Sequence, residues 1–84
     1  MEYKYEKGTE EREIEEIVYK QLGVLENLTR LRNRLQEDNL ITGEEAEILE
    51  HTQAIIIVDT LGLAVGINIQ NRVQEIAEGL RELK

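Results

Sequence analysis

The sequence predicts an all-α protein: an antiparallel helical hairpin, with helices at about 9–37 and 43–83, that assembles into a homo-oligomeric helical bundle. Three observations carry this expectation. Apolar residues recur at alternating three- and four-residue intervals through both halves of the chain. A capping signature, Thr42 followed by Glu45, separates the halves. Residues 54–69 are apolar on nearly every side, and one partner helix cannot cover such a segment. With 84 residues the chain forms one domain, near the size at which a single core is marginal and oligomers commonly add stability.

Residues 1–8 read as an N-terminal arm carrying Tyr3 and Tyr5, with neither the apolar stretch nor the cleavage site of a signal peptide. Thr9 is placed to cap the first helix, with Glu10 and Glu11 at the positive end of its dipole. The helix itself follows from Ile14, Ile17, Gln21, Val24, Leu28, Leu31 and Leu35, spaced 3-4-3-4-3-4. Val18, Leu22 and Leu25 widen the stripe, as expected for packing on more than one neighbour. The turn is expected at 38–42, after which Thr42 and Glu45 form a capping box.

Beyond it, Ile48, Thr52, Ile55, Asp59, Gly62, Gly66, Ile69, Val73, Ile76, Leu80 and Leu83 hold a 4-3 register that favours one continuous helix over 43–83. Such a helix would be about 60 Å long and would carry residues 73–84 past the start of the first. The β-branched run Ile55–Val58 and the two glycines favour a competing α+β arrangement, a hairpin of strands 54–58 and 63–69. In the helical hairpin, facing residues have numbers summing to about 81. That sets Arg34 opposite Glu47 and Glu50 near Arg30 and Arg34.

Composition narrows the function. There is no Cys or Ser and only one His, His51, which leaves no thiolate chemistry, no classical nucleophilic triad and no mononuclear His-rich metal site. No catalytic, cofactor-binding or metal-ligating residue is expected. Di-iron bundles use Glu-x-x-His, and Ile48 stands where that glutamate would be. The pairs Glu13/Glu16, Glu47/Glu50 and Glu75/Glu78 have a spacing common to any Glu-rich amphipathic helix. A formal charge of −8 argues against direct binding of a phosphate backbone. The sixteen residues 54–69 are short of a membrane span and contain Asp59, so a cytoplasmic protein without membrane contact is expected.

The acids are unevenly placed. Residues 1–16 carry seven acids against three bases, residues 37–53 six acids and no base, and residues 17–36 four bases against one acid. Glu10, Glu11, Glu13, Glu44, Glu45 and Glu47 are therefore the expected acidic surface for a partner protein with a basic face. Ile55, Asp59, Gly62, Gly66, Ile69 and Val73 are expected to form the oligomer seam, with Asp59 as a buried polar layer fixing register. The expected function is that of a non-enzymatic oligomer acting through protein–protein contact, such as a regulator or inhibitor of a host or defence protein encoded by a phage or mobile element. The alternative is sequestration of a small, nucleotide-like anion between subunits by Asp59, Asn68, Asn71, Arg72, Arg30 and Arg34. A third reading, a magnesium-dependent all-α nucleotide phosphohydrolase, requires several carboxylates to converge.

Overall fold

The computed structural model describes residues 2–83; Met1 of the arm and Lys84 lie outside them. It contains three helices, α1 (Glu10–Glu37), α2 (Gly43–Gly66) and α3 (Gln70–Leu80). There is no strand among the described residues, so the α+β alternative with strands 54–58 and 63–69 is overturned. The β-branched side chains instead decorate a helix whose ends are well satisfied.

Thr9 caps α1 by accepting the N–H of Arg12. The capping box of α2 is complete: the Thr42 hydroxyl accepts from the Glu45 N–H at 3.1 Å, and the Glu45 carboxylate accepts from the Thr42 N–H at 3.0 Å. The antiparallel register matches the expected one. Gln21 meets Asp59 and Thr60, Thr29 meets Gln53, and Arg32 meets Glu50.

The single helix over 43–83 is corrected. α2 ends at Gly66, and Asn68 adopts a left-handed conformation with φ 59°. The Ile69 N–H donates to the Ala64 carbonyl and the Asn68 N–H to that of Val65. This is the Schellman arrangement, which satisfies the last carbonyls of a helix and reverses the chain. The 4-3 spacing continues past it because α3 must also bury a stripe, against the same core. The chain turns back, so residues 73–83 do not project past α1. Leu83 lies instead beside the loop-end part of α1, where its carbonyl accepts from Asn33 Nδ2 at 2.9 Å. The longest dimension is 45 Å.

The core is Val18, Tyr19, Leu22 and Leu25 of α1, Ala64 of α2, Ile67 and Ile69 of the reversal, and Val73 of α3. On α1 the buried positions are Glu15, Val18, Tyr19, Leu22, Leu25 and Thr29, and all but Tyr19 form a second 3-4-3-4 stripe beside the Ile14–Leu35 one. A helix touching two neighbours needs two stripes. The inner one serves both α2 and α3. Few residues of α2 are buried, namely Ala46, Gln53, Thr60 and Ala64. α2 is long and apolar enough to cross a membrane by length and composition, and 17% of its apolar window is buried.

The arm is built onto this frame by Glu15. Its carboxylate is fully buried and accepts the N–H groups of Lys4 at 2.7 Å and Tyr5 at 3.0 Å. The Tyr5 hydroxyl donates to the Ile67 carbonyl, and Lys4 Nζ to that of Asn68. Tyr3 packs edge-on against Tyr19 at 5.4 Å, with the Arg12 guanidinium 3.5 Å from its ring centroid. The arm thus covers the α2–α3 reversal within the chain.

Candidate functional site

The first α1 stripe, Ile14 to Leu35, lies beside the core rather than in it. Ile17, Val24 and Leu31 are exposed, and Ile14, Gln21, Leu28 and Leu35 are half-buried. On α2 the positions Ile48, Thr52, Ile55, Asp59, Gly62 and Gly66 are all exposed, Ile55 to 71%. Their 4-3 spacing keeps them on one side of the helix. Gln21 and Asp59, one from each set, meet through a hydrogen bond of 3.1 Å from Gln21 Nε2 to Asp59 Oδ2. The two stripes therefore form the walls of one outward face along the α1–α2 hairpin. Val58 and Val65 extend the apolar surface round the back of α2.

Gly62 and Gly66 lie on this face without a reason inside the chain. A Cβ at either position would meet nothing within 4 Å, although at Gly62, in the helix interior, glycine costs about 1 kcal/mol relative to alanine. Behind the face is a polar layer. The Thr60 hydroxyl lies 2.7 Å from both Gln21 Oε1 and the Ile56 carbonyl, its one proton serving either. Further along, Gln53 Nε2 donates to Thr29 at 2.7 Å, and Arg32 donates to Gln53 Oε1 at 3.0 Å and to Glu50 at 3.3 Å.

The expected seam divides. Ile55, Asp59, Gly62 and Gly66 are exposed on the outward face, whereas Ile69 and Val73 are buried in the intrachain core. Asp59 is exposed in the single chain and held by Gln21. The basic band pairs differently from expectation: Arg32 turns inward to Glu50, and Arg30 pairs with Glu26 on its own helix. The pairs expected from Arg34 to Glu47 and from Arg30 or Arg34 to Glu50 do not form, because Arg30 and Arg34 lie on the exposed side of α1.

The expected ligand residues are dispersed. Asn68, Asn71 and Arg72 are at the α2–α3 reversal, where Arg72 donates to the Glu2 carbonyl and stands 5.6 Å from the Tyr19 ring centroid. Arg30 and Arg34 are at the opposite end of the hairpin, beside Asn27 and Leu31 in an open depression of about 550 Å³. A cavity of about 490 Å³ between the three helices is lined by Leu25, Thr29, Arg32, Gln53 and Leu80 among others, and includes none of the six.

The six glutamates of the expected partner surface are all exposed. Glu10, Glu11 and Glu13 are at one end, and Glu44, Glu45 and Glu47 at the other, about 30 Å away along α1. Glu13 and Glu16 are separated from Glu47 and Glu50 by the same length. Among the described residues no three acids or histidines gather where they could hold a metal ion. Sequence reasoning missed Glu15, the one buried carboxylate among the described residues. Its signal was faint: an acid at an i−3 and i−4 step from Val18 and Tyr19, on the apolar side. No protein family, curated protein or solved structure matches the chain.

Proposed function

We propose that this chain is a non-enzymatic, self-associating helical protein that acts by protein–protein contact, with the outward α1–α2 face as its association surface. The observation that carries this reading is the exposure of that face, whose Ile17, Val24, Leu31, Ile48 and Ile55 are 41–71% exposed in the single chain. Apolar surface left this open is uncommon on soluble monomers. Whole-molecule dimensions point the same way. A compact chain of 9.7 kDa exposes about 5,100 Å² by the usual size scaling, and this one exposes 6111 Å². Its radius of gyration is 14.4 Å, against about 12 Å for a compact fold of this length. The excess of about 1,000 Å² is close to what each partner contributes to a standard interface, about 800 Å².

The acidic ends then remain free for a further, basic protein, in keeping with a small regulator or inhibitor of phage or mobile-element type. Sequestration of a nucleotide-like anion has less support, since its six residues are spread over the two ends and the middle of the hairpin and need another subunit to bring them together. Dispersal of Glu13, Glu16, Glu47 and Glu50 likewise leaves the phosphohydrolase reading without its acidic centre.

The test is solution mass by light scattering, run with circular dichroism. A mass at a multiple of 9.7 kDa, reduced to the monomer by Ile55→Glu with helicity retained, is expected. A monomeric wild-type chain overturns the reading, as does co-sedimentation with neutral lipid vesicles that Ile55→Glu abolishes.

A further inference from the structure

We infer that the outward face is occupied by a second copy of this chain in one specific arrangement: a four-helix dimer with the two loops at opposite ends and the twofold axis passing beside Val24. This deepens the self-association proposed above and rests on it.

Two orientations bring a copy of a hairpin face to face with itself. With loops together, α1 lies over the partner's α2. With loops apart, α1 lies over the partner's α1, and α2 over α2. The side chains on the face distinguish them. The α1 stripe, Ile14 to Leu35, is centred between Val24 and Leu25, and the α2 set, Ile48 to Gly66, is centred on Ile57. These centres lie at the same height in the observed register, in which Gln21 meets Thr60 and Thr29 meets Gln53. A twofold axis perpendicular to the helices requires that coincidence, and the loops-together arrangement does not.

The volumes agree. With loops apart, Ile48 of each copy is set against Gly66 of the other, Thr52 against Gly62, and Ile55 against Asp59. Every large residue of α2 meets a small or short one, so the two α2 helices can approach closely. On α1, Ile14 is set against Leu35, Ile17 against Leu31, and Val24 against itself. With loops together, Leu35 meets Ile48 and Leu28 meets Ile55 at one end, whereas Gln21 and Ile17 meet glycines at the other. One end would be overfilled and the other slack. The loops-apart arrangement also gives Gly62 and Gly66 a use on the outward face, although a Cβ there, as at the chain's other glycines, meets nothing within the chain. Charge is consistent with it, because Arg34, exposed at the loop end, comes to the height of Glu13 and Glu16 on the other copy's α1.

The chain has no cysteine, so introduced cysteines are the only thiols. In the arrangement inferred, Val24→Cys is linked to itself by a short bismaleimide, giving a covalent dimer of the single variant. Gly62→Leu is the second variant. Leucine there meets open space within its own chain and favours helix, so helicity and monomer folding are retained. In the dimer it strikes Thr52 of the other copy and weakens association on the order of tenfold or more. A dimeric mass with no self-linking of Val24→Cys or of Asp59→Cys, but linking between the two in a mixture of the single variants, overturns the orientation and leaves self-association standing. A Gly62→Leu chain that dimerises as tightly as wild type overturns the role given to the glycines. A monomeric wild-type chain overturns both proposals together.

Discussion

Asn39 and Asn68 occupy equivalent positions at two helix ends. Each is left-handed, with φ 56° and 59°, and each is followed by an apolar residue whose N–H reaches back five positions, Leu40 to Leu35 and Ile69 to Ala64. Asparagine is, after glycine, the residue best suited to this conformation. The first of these reversals makes the hairpin and the second makes the three-helix core.

Asn68 therefore controls the docking of α3. Asn68→Gly is expected to be neutral or slightly stabilising. Asn68→Ala is expected to cost about 1 kcal/mol and Asn68→Val about 2 kcal/mol, the strain of a left-handed residue with a Cβ. Urea unfolding followed by circular dichroism at 222 nm measures all three.

Glu15 holds the arm. Removing its carboxylate leaves the N–H groups of Lys4 and Tyr5 without their acceptor in a part-buried setting. Glu15→Ala is expected to cost about 2–4 kcal/mol. The arm is released as well, and the near-ultraviolet signal of the Tyr3–Tyr19 pair is lost with it. Glu15→Gln keeps the shape but replaces a charged acceptor by a weaker one, and is expected to cost about half as much.

Tyr19 makes the fold sensitive to alkali. Burial raises its hydroxyl above the usual 10.0, opposed by the Arg72 guanidinium and reinforced by the Glu15 carboxylate. The folded chain then holds the phenolic proton more tightly than the unfolded chain. The resulting stabilisation is complete below the unfolded value and is lost as pH rises through the folded one. Melting temperature is expected to fall from about pH 10 upward, and Tyr19→Phe is expected to flatten that fall.

The inner polar layer sets register more than it adds stability. Gln53 is nearly buried and joins Thr29 to Arg32. Gln53→Ala is expected to cost about 1–3 kcal/mol, because the Thr29 hydroxyl and the Arg32 guanidinium lose a partner. In the Gln53→Leu/Thr29→Val pair both ends of that bond become apolar, and the expected loss is smaller than for Gln53→Ala alone. Thermal unfolding of the two variants compares them directly.

The helical class, the caps at Thr9 and Thr42 and the antiparallel register were all legible in the sequence, because each rests on interactions within a few residues or on a spacing that repeats many times. The reversal at 67–69 was not. Its signal is one asparagine between two isoleucines, and the apolar register passes through it undisturbed. The outward stripe was readable as a stripe but not as outward, since spacing reports that residues share a side and not which neighbour takes it. Glu15 was hidden for a related reason: its partners are backbone N–H groups of the arm, which have no residue-type signature. Of the expected site residues, Ile55, Asp59 and the two glycines share a surface. Asn68 proved to be a helix-ending residue.

Asn68 also sets the proportions of the molecule. Straightened at that residue, the chain from Gly43 to Leu83 would be a rod of about 60 Å with an unbroken apolar line and nothing alongside its far third. Bent there, the same line is divided between two uses, the inner third closing the fold around Val73 and the remainder left to face outward. One backbone torsion thus apportions the apolar residues between folding and association.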